Sequence, residues 1–253
     1  KANRPPLDPV LKTQFPLVRQ VVTALELPAV EMEGYEADDL MATLAAQARE
    51  QGFEVVLLSG DKDLFQLVGK QVSIWDTMKD QRLGPQEVTE KLGIAPEQVV
   101  DYMALTGDSS DNVPGVPKVG PKTAAKLIAE YGSLDAVLDA APDMKKSKMR
   151  ENLIKFRDQA LLSRDLVRLA LDAPIKFQPS VFEMRAPDPA VLTPVLARLE
   201  FSKLLGEFAA PPPAEDTDYG RLTDPAKLEA FLKAAQKKGR LSVDTETTSL
   251  DVM

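Results

Sequence analysis

A helix followed by a strand over residues 34–63 decides the fold class of this chain. The stretch is GYEADDLMATLAAQAREQGFEVVLLSGDKD. Its apolar residues recur at helical spacing, at Leu40, Met41, Leu44 and Ala48. This spacing predicts an amphipathic helix over Glu36–Glu50, which Gly52 ends because glycine readily adopts the conformation of a helix terminus. Phe53–Leu58 follows as a short apolar run between glycines, which predicts a buried strand.

Similar signals flank this helix and strand on both sides. Apolar residues at helical spacing predict a helix over Leu11–Leu25, and Val72–Trp75 predicts a second strand. Strands that alternate with helices are typical of α/β domains with a parallel sheet. The first part of the chain is therefore predicted to be an α/β domain, a class that binds ligands at the carboxyl ends of its strands.

From residue 85 onward the chain is predicted to be mainly helical. Proline suits the first turn of a helix because no backbone N–H donor is needed there. Gly132 is expected to end one helix, Ser133 to cap the next, and one or two more helices are predicted over 148–171. The predicted helix starts are Pro85, Pro96 and Pro121.

The last part of the chain has a different composition. Residues 208–220 are rich in proline and acidic residues, which is typical of an interdomain linker. A helix is predicted over Asp224–Lys238 and a strand over Leu241–Glu246. Asp244 and Glu246 share one face of that strand because side chains alternate along it. A solvated strand face and a pair of metal ligands both explain these two acids.

The absence of two residue types narrows the chemistry. The chain contains no cysteine and no histidine. Zinc sites with nitrogen and sulfur ligands, Ser–His–Asp triads and Cys–His pairs are therefore excluded. Any metal must be held by oxygen, which selects Mg²⁺, Mn²⁺ or Ca²⁺. No apolar run reaches the roughly 20 residues of a bilayer crossing and no signal-peptide pattern opens the chain, so we expect a cytoplasmic protein without a membrane partner.

Acidic side chains gather in three clusters. The first opens the predicted helix 36–50, the second follows the predicted strand 53–58, and the third follows a predicted helix over 97–105. Each cluster also has a structural explanation. Acids in the first cluster stabilise a helix N-terminus, and those in the second form an Asx turn that begins the next helix. The third cluster is explained as an ordinary polar loop. The candidate metal ligands are Glu36, Asp38, Asp39, Asp61, Asp63, Asp108 and Asp111.

The net charge of −8 is unevenly distributed along the chain. Residues 26–111 contain 18 acids and 6 bases, whereas residues 112–176 contain 12 bases and 8 acids. Carboxylates gathered in one region repel each other unless cations neutralise them. Two Mg²⁺ ions would do so, and such a pair can activate water and stabilise the leaving oxygen in phosphodiester hydrolysis. Ordinary surface charge is the alternative explanation.

The most specific stretch is NVPGVPKVGPKTAAK, residues 112–126. Its glycines allow the backbone to approach a phosphate closely, and the amides of the turn and of the helix that follows can point at an anion. Such contacts hold a nucleic-acid backbone without reading base sequence. A helix–turn–helix corner with solvated lysines is the alternative. The candidate DNA-binding residues are Gly115, Val116, Lys118, Gly120, Lys122, Thr123 and Lys126.

Four motifs in this order resemble a known family. They are KANRPP at 1–6, GYEADD at 34–39, SGDKD at 59–63 and TGDSSDNVPGVPKVG at 106–120. As a set they resemble the 5′-nuclease domain of bacterial DNA polymerase I, a relative of the flap endonucleases with a PIN-like fold. The resemblance covers about residues 1–208.

The resemblance implies a domain organisation. It places a PIN-like parallel-sheet core over residues 1–107 and an all-helical DNA-binding subdomain with a helix–three-turn–helix over 108–208. A linker over 209–220 and the start of a ribonuclease H-like 3′–5′ exonuclease domain over 221–253 are expected to follow. The family's first strand and early helices are expected to precede Lys1, so the chain is expected to be a fragment that lacks them and is inactive alone.

The resemblance also implies roles for particular residues. The expected catalytic residues are Lys1, Asp61 and Asp108. The seven acids of the three clusters are expected to hold two Mg²⁺ or Mn²⁺ ions. A second exonuclease site is expected to include Asp244 and Glu246. Carbonyls of the turn in 115–126 are expected to bind K⁺. The expected partner is DNA with a 5′ flap, nick, gap or RNA primer, bound by a monomer in the bacterial cytoplasm at the nucleoid.

Two rival functions stay open at this point. A stand-alone 5′–3′ exonuclease would carry the same acidic and lysine-rich motifs, although the linker and the pair Asp244 and Glu246 argue against it. A non-catalytic DNA-binding module would need only residues 115–126.

Overall fold

The computed structural model describes residues 6–208, 223–239 and 241. The chain forms two compact units, Lys1–Phe201 and Ser202–Met253. Among the described residues, no helix combines the length and apolarity that a membrane crossing requires. The first unit contains the helices α1 (Pro9–Lys12), α2 (Phe15–Ala24), α3 (Ala37–Glu50), α4 (Pro85–Leu92), α5 (Val99–Thr106), α6 (Pro121–Tyr131), α7 (Leu134–Ala140), α8 (Lys148–Lys155), α9 (Arg157–Val167) and α10 (Pro189–Arg198).

A three-stranded mixed sheet forms the α/β part of the first unit. Its strands are β1 (Val55–Leu58), β2 (Val72–Asp76) and β3 (Gln81–Leu83), in the order β1-β2-β3. β1 and β2 are parallel, which confirms the predicted parallel pairing, and α3 precedes β1 as predicted. β3 pairs antiparallel with β2 and was not predicted, because three residues with one buried apolar side chain carry no periodic signal.

The prediction that Phe53–Leu58 forms a buried strand is wrong in two respects. The strand begins two residues later, at Val55, and only one of its faces is buried. Leu57 lies in the core beside its partner Ile74, whereas the Leu58 side chain is 63% exposed. β1 is an edge strand of the described sheet, and side chains alternate between faces, so apolar residues next to Leu57 point to the uncovered face.

The helical half follows most of the predicted boundaries. α4 and α6 begin at Pro85 and Pro121, whereas Pro96 opens a 3-10 turn that leads into α5. Gly132 ends α6, and the Ser133 hydroxyl accepts a hydrogen bond from the N–H of Ala136 at the start of α7. Two helices, α8 and α9, cover most of the predicted 148–171 region. α5 packs against α9 and α6, and its residues 103–105 are buried.

The single helix predicted over Leu11–Leu25 is two helices, α1 and α2. The break at residues 13–14 has a local cause. Pro16 has no backbone N–H to donate to a preceding turn, so it is tolerated only in the first turn of a helix. α2 accordingly starts at Phe15, with Pro16 in its first turn.

A row of polar side chains on α3 binds an irregular segment of backbone far along the chain. Its members, spaced four apart on one face of the helix, are Asp39, Thr43, Gln47 and Gln51. Thr43 donates to the carbonyl of Ala170, and Gln47 accepts from the N–H of Phe177 at 2.7 Å. These side chains satisfy backbone groups of residues 170–177 that no helix or strand pairs. We call this set the α3 polar row.

The second unit contains helices α11 (Ser202–Phe208) and α12 (Pro225–Lys238). α12 confirms the helix predicted over Asp224–Lys238, with the Asp224 side chain as its N-cap and Gly239 at its end. Three predictions fall outside the described residues: Lys1, the linker 209–220, and the strand that carries Asp244 and Glu246. The predicted boundary at residue 108 lies inside the first unit.

Candidate metal centre

The turn after β1 places the second acidic cluster. The Asp61 side chain caps the 3-10 segment Lys62–Leu67 by accepting a hydrogen bond from the N–H of Asp63 at 3.0 Å. The N–H of Asp61 donates to the hydroxyl of Ser59 at 3.1 Å. The Asx turn, the structural alternative for this cluster, is therefore present. It does not exclude a functional role, because it also fixes the backbone of the half-buried Asp63.

The loop after α5 places the third cluster. Asp108 is 7% exposed, and its backbone exchanges two hydrogen bonds with Val113, at 2.9 and 2.7 Å. Its Oδ1 accepts from the N–H of Ser110 at 2.8 Å, and its Oδ2 lies 3.1 Å from the ammonium of Lys62. The two-way pairing of Asp108 with Val113 closes the loop, and Asp111 lies within it.

Two glycines hold this acidic loop against the start of the lysine-rich segment. Gly107 and Gly115 both have positive φ, at +69° and +60°. A Cβ atom on Gly115 would lie 2.4 Å from the backbone nitrogen of Gly107, which is closer than real Cβ contacts come. Only glycine therefore permits this approach of two backbone segments. The N–H of Gly115 also donates to the buried hydroxyl of Ser163 on α9.

Three carboxylates converge at this place. Asp63, Asp108 and Asp111 each offer a side-chain oxygen, and these oxygens all lie within 4.8 Å of one another. Oδ1 of Asp63 is buried and has no hydrogen-bond partner among the described residues. A buried carboxylate oxygen without a donor, beside two further carboxylates, has the character of a ligand for a hard divalent cation. The side chains present therefore fit a divalent metal ion.

The pKa shifts of Asp63 and Asp108 are consistent with a site for a divalent metal ion. Burial and the neighbouring charges of Asp61 and Asp108 raise the pKa of Asp63 from 3.8 to about 6. Burial also acts to raise the pKa of Asp108, but the Ser110 backbone and the Lys62 ammonium outweigh it and lower the pKa overall. The carboxylates of Asp63 and Asp108 thus lie close enough to repel, and a bound cation would relieve that repulsion.

The first acidic cluster has a clear structural role. Oδ2 of Asp39 accepts from the N–H of Glu36, which completes a capping box at the N-terminus of α3. Oδ1 of Asp39 accepts from the N–H of Ala170 and so begins the α3 polar row. Among the described residues, the group within 4.8 Å does not include Glu36, Asp38, Asp39 or Asp61. Their roles as metal ligands stay predictions.

The lysine-rich segment presents its charges to solvent. Lys118, Lys122 and Lys126 are exposed, and Gly120 is the N-cap residue of α6. Thr123 is partly buried. The Val116 side chain is only 3% exposed and its N–H donates to the carbonyl of Leu105, so a ligand could meet this residue only at its carbonyl.

Several supporting residues were not predicted. Lys62 pairs with Asp108, and its position between Asp61 and Asp63 was the available signal. Asn152 and Gln159 bind the carbonyls of Pro117 and Gly115, at 2.6 and 2.7 Å. Nothing in the spacing of polar residues on α8 and α9 indicates these contacts, because they depend on how the helices pack.

The pH dependence of stability tests the position of Asp63. Without divalent ions, the folded chain binds a proton at Asp63 near pH 6, and the unfolded chain does so near 3.8. Between these values the folded state holds more protons, so this carboxylate makes the free energy of unfolding fall as pH rises. Asp63→Asn is therefore expected to stabilise the metal-free chain more at pH 7 than at pH 4.5, as measured by urea unfolding in EDTA.

Asp143→Asn serves as the control for that measurement, because it removes one negative charge at an exposed position outside the group. An equal effect of Asp63→Asn at both pH values would contradict the crowded environment of this carboxylate.

Two sequence models of one family match adjacent parts of the chain. Residues 1–93 match the model described as "5'-3' exonuclease, N-terminal resolvase-like domain". Residues 94–190 match the model described as "5'-3' exonuclease, C-terminal SAM fold". The two matched ranges contain the three aspartates and the lysine-rich segment.

Curated relatives agree with these matches. The chain is 46% identical over 209 residues to DNA polymerase I of Rhizobium leguminosarum, an alignment that covers 83% of this chain and 21% of the relative. It is 39% identical over 256 residues to the thermostable DNA polymerase I of Thermus filiformis, which covers 95% of this chain and 30% of the relative. The chain thus spans less than a third of the length of these relatives.

Solved structures show the same fold. The T5 D15 protein co-crystallised with metal ions superposes with a TM-score of 0.58 at 23% identity, covering 83% of this chain and 75% of that chain. The catalytic core of Rad2 in complex with a DNA substrate superposes with a TM-score of 0.55 at 15% identity, covering 79% and 71%.

Proposed function

The chain belongs to the 5′–3′ exonuclease family, and from that premise we propose that it is a Mg²⁺-dependent nuclease acting on DNA at 5′ ends and 5′ flaps. The observation that carries this proposal is the convergence of Asp63, Asp108 and Asp111, with the unpartnered buried oxygen of Asp63 among them. Two solved structures of the same fold support it, because one was co-crystallised with metal ions and another with a DNA substrate.

Different residues of the chain are proposed to bind the metal ions and to contact the phosphate. Asp63, Asp108 and Asp111 would hold the ion directly, and Asp61 and the α3 cluster Glu36, Asp38 and Asp39 would act through water or on a second ion. Bound divalent ions would supply an activated water and stabilise the leaving oxygen of a phosphodiester. Lys1, expected to contact the scissile phosphate, completes the proposed catalytic set with Asp61 and Asp108.

Residues 115–126 would hold the DNA backbone. Lys118, Lys122 and Lys126 supply exposed positive charge, and the positive end of the α6 dipole lies beside Gly120 and Thr123. K⁺ at the turn carbonyls belongs to the same proposal. The carbonyls of Gly115 and Pro117 each accept a side-chain amide already, so each would offer K⁺ only its second lone pair.

We infer that the whole protein is a bacterial DNA polymerase I, with a nuclease role in replication and repair. The alignment to the Thermus filiformis polymerase covers 95% of this chain and so extends past residue 209, which favours this parent over a stand-alone exonuclease. In that parent, Asp244 and Glu246 would begin the 3′–5′ exonuclease site. A monomer in the bacterial cytoplasm, bound to flapped, nicked, gapped or RNA-primed DNA at the nucleoid, completes the proposal.

Cleavage of a labelled 5′-flap DNA by the full-length protein with Mg²⁺, compared with the same reaction in EDTA, tests the proposed activity. Metal-dependent release of the flap would support it. Tight DNA binding without cleavage at any Mg²⁺ or Mn²⁺ concentration would instead support a non-catalytic DNA-binding module.

The salt dependence of DNA binding tests the lysine-rich segment separately from catalysis. Each lysine that neutralises a phosphate releases about one counterion. The double variant Lys122→Gln/Lys126→Gln is therefore expected to reduce the slope of log K against log salt by about 2, for any duplex sequence. Fluorescence anisotropy in EDTA at several salt concentrations measures this slope.

The matched control is Lys237→Gln/Lys238→Gln, which removes the same charge at the end of α12. If both double variants reduce the slope equally, the positive charge acts through the whole surface and the proposed role of residues 115–126 is wrong.

A further inference from the structure

Among the described residues, Lys62 is the cation that pairs with the acidic group. It is the first residue of the 3-10 segment Lys62–Leu67, and its ammonium lies 3.1 Å from Oδ2 of Asp108. The two side chains differ in environment, because that of Lys62 is 53% exposed and that of Asp108 is 6% exposed. The carboxylate is therefore fixed by its surroundings, whereas the ammonium sits at the end of a flexible and largely solvated side chain.

The Lys62 ammonium lies beside the three carboxylates, where positive charge offsets their mutual repulsion. Asp63, Asp108 and Asp111 bring their oxygens within 4.8 Å of one another, and Asp61 lies next to Asp63. A buried carboxylate that loses its only partner cation is costly, since neither water nor another donor replaces the lost charge. Asp108 keeps hydrogen bonds from the backbone and the side chain of Ser110, which stabilise the carboxylate but do not neutralise it.

We propose that Lys62 is an internal counter-ion of the metal centre, which pairs with Asp108 in the metal-free chain and gives up this carboxylate to an incoming divalent ion. This inference rests on the proposed metal-dependent function. A divalent ion concentrates two charges at a carboxylate oxygen, and Mg²⁺ binds carboxylates directly. The half-exposed Lys62 side chain can turn into solvent when the ion binds, because its ammonium is then hydrated.

The same contact has two opposite effects. In the metal-free chain, Lys62 stabilises the folded state by offsetting repulsion among the acids. In the presence of metal, the ion must displace an ammonium that is already bound, so metal affinity is lower than the carboxylates alone would give. A purely structural ion pair would produce the first effect without the second.

Calorimetric titration of Mn²⁺ into the DNA-free chain tests the proposal. Lys62→Gln is expected to bind Mn²⁺ about tenfold more tightly than the wild type, because it removes a nearby positive charge and a competitor. Lys62→Arg keeps the charge and is expected to bind within about twofold of the wild type. In EDTA, Lys62→Gln is expected to melt at a lower temperature, and Mn²⁺ is expected to raise its melting temperature by more than that of the wild type.

Lys79→Gln is the matched control. Lys79 is 60% exposed and pairs at 2.8 Å with Asp76, a buried carboxylate that lies outside the group of three aspartates. It is expected to melt at a lower temperature without a change in Mn²⁺ affinity. Unchanged or weaker Mn²⁺ binding by Lys62→Gln would overturn the counter-ion role. Absence of Mn²⁺ binding by the wild type would overturn the metal centre, and the role of Lys62 with it.

Discussion

In the full-length protein, replacing Asp108 by asparagine is expected to lower Mg²⁺-dependent cleavage of a 5′-flap DNA by about a thousandfold. Asparagine has the same shape and can still accept the hydrogen bond that the N–H of Ser110 donates to Oδ1. It removes the negative charge that, with Asp63 and Asp111, would bind the ion. The loss is therefore expected in the rate of cleavage rather than in the fold, which circular dichroism checks.

Asp76→Asn is the control for that experiment. Asp76 is also buried and also pairs with a lysine, but it lies outside the group within 4.8 Å. Its substitution is expected to change the cleavage rate by less than about threefold. A folded Asp108→Asn chain that keeps more than a tenth of the wild-type rate would show that this carboxylate does not hold a catalytic ion.

Replacing Gly115 by alanine is expected to lower the free energy of unfolding by about 3–4 kcal/mol. The new methyl group would lie 2.4 Å from the nitrogen of Gly107 and 2.6 Å from the carbonyl carbon of Thr106. Both contacts are with backbone atoms, so no side-chain rotation relieves them. The φ of +60° adds strain for any residue with a Cβ atom. Urea unfolding of wild type and variant measures the difference.

Substitutions at two other glycines separate the effect of the steric clash from the effect of the positive φ. Gly132 has a φ of +89° and open space where a methyl group would lie, so Gly132→Ala is expected to cost about 1 kcal/mol from backbone strain alone. Gly120 has open space and no positive φ, and Gly120→Ala is expected to change stability by less than about 0.5 kcal/mol. If Gly115→Ala were no more destabilising than Gly132→Ala, the close approach of the two loops would not exist in solution.

The elements that the sequence predicted well are those with local signals. The α3 helix and the strand after it follow from apolar spacing and from Gly52, and the boundaries of α6 follow from Pro121 and Gly132. Burial of Leu58 was predicted wrongly because an apolar run does not reveal whether a second layer covers it. The break at Pro16 was missed because apolar spacing continued across it.

The site was predictable only in part, since its residues come from elements that meet through packing. Asp63 and Asp108 were both candidates, but so was Asp39, which the structure uses to bind the backbone of Ala170. All three stand in acidic clusters near the end of an element, and sequence spacing does not distinguish them. Asp63 and Asp108 meet because the turn after β1 and the loop after α5 lie together, whereas Asp39 accepts from the N–H of Ala170 and its role as a metal ligand stays a prediction.

The α3 polar row joins two segments that are far apart in sequence, because Ala170 lies 131 residues beyond Asp39. The helices between residues 85 and 167 follow β3 at one end and are joined to α3 by the polar row at the other. Both ends of this helical region are therefore attached to the α/β part of the first unit, which opposes local unfolding from either end. Heat or denaturant would separate the three aspartates from the lysine-rich segment only by unfolding both halves together, so the first unit would lose the proposed metal centre and the proposed DNA-binding segment in one cooperative step.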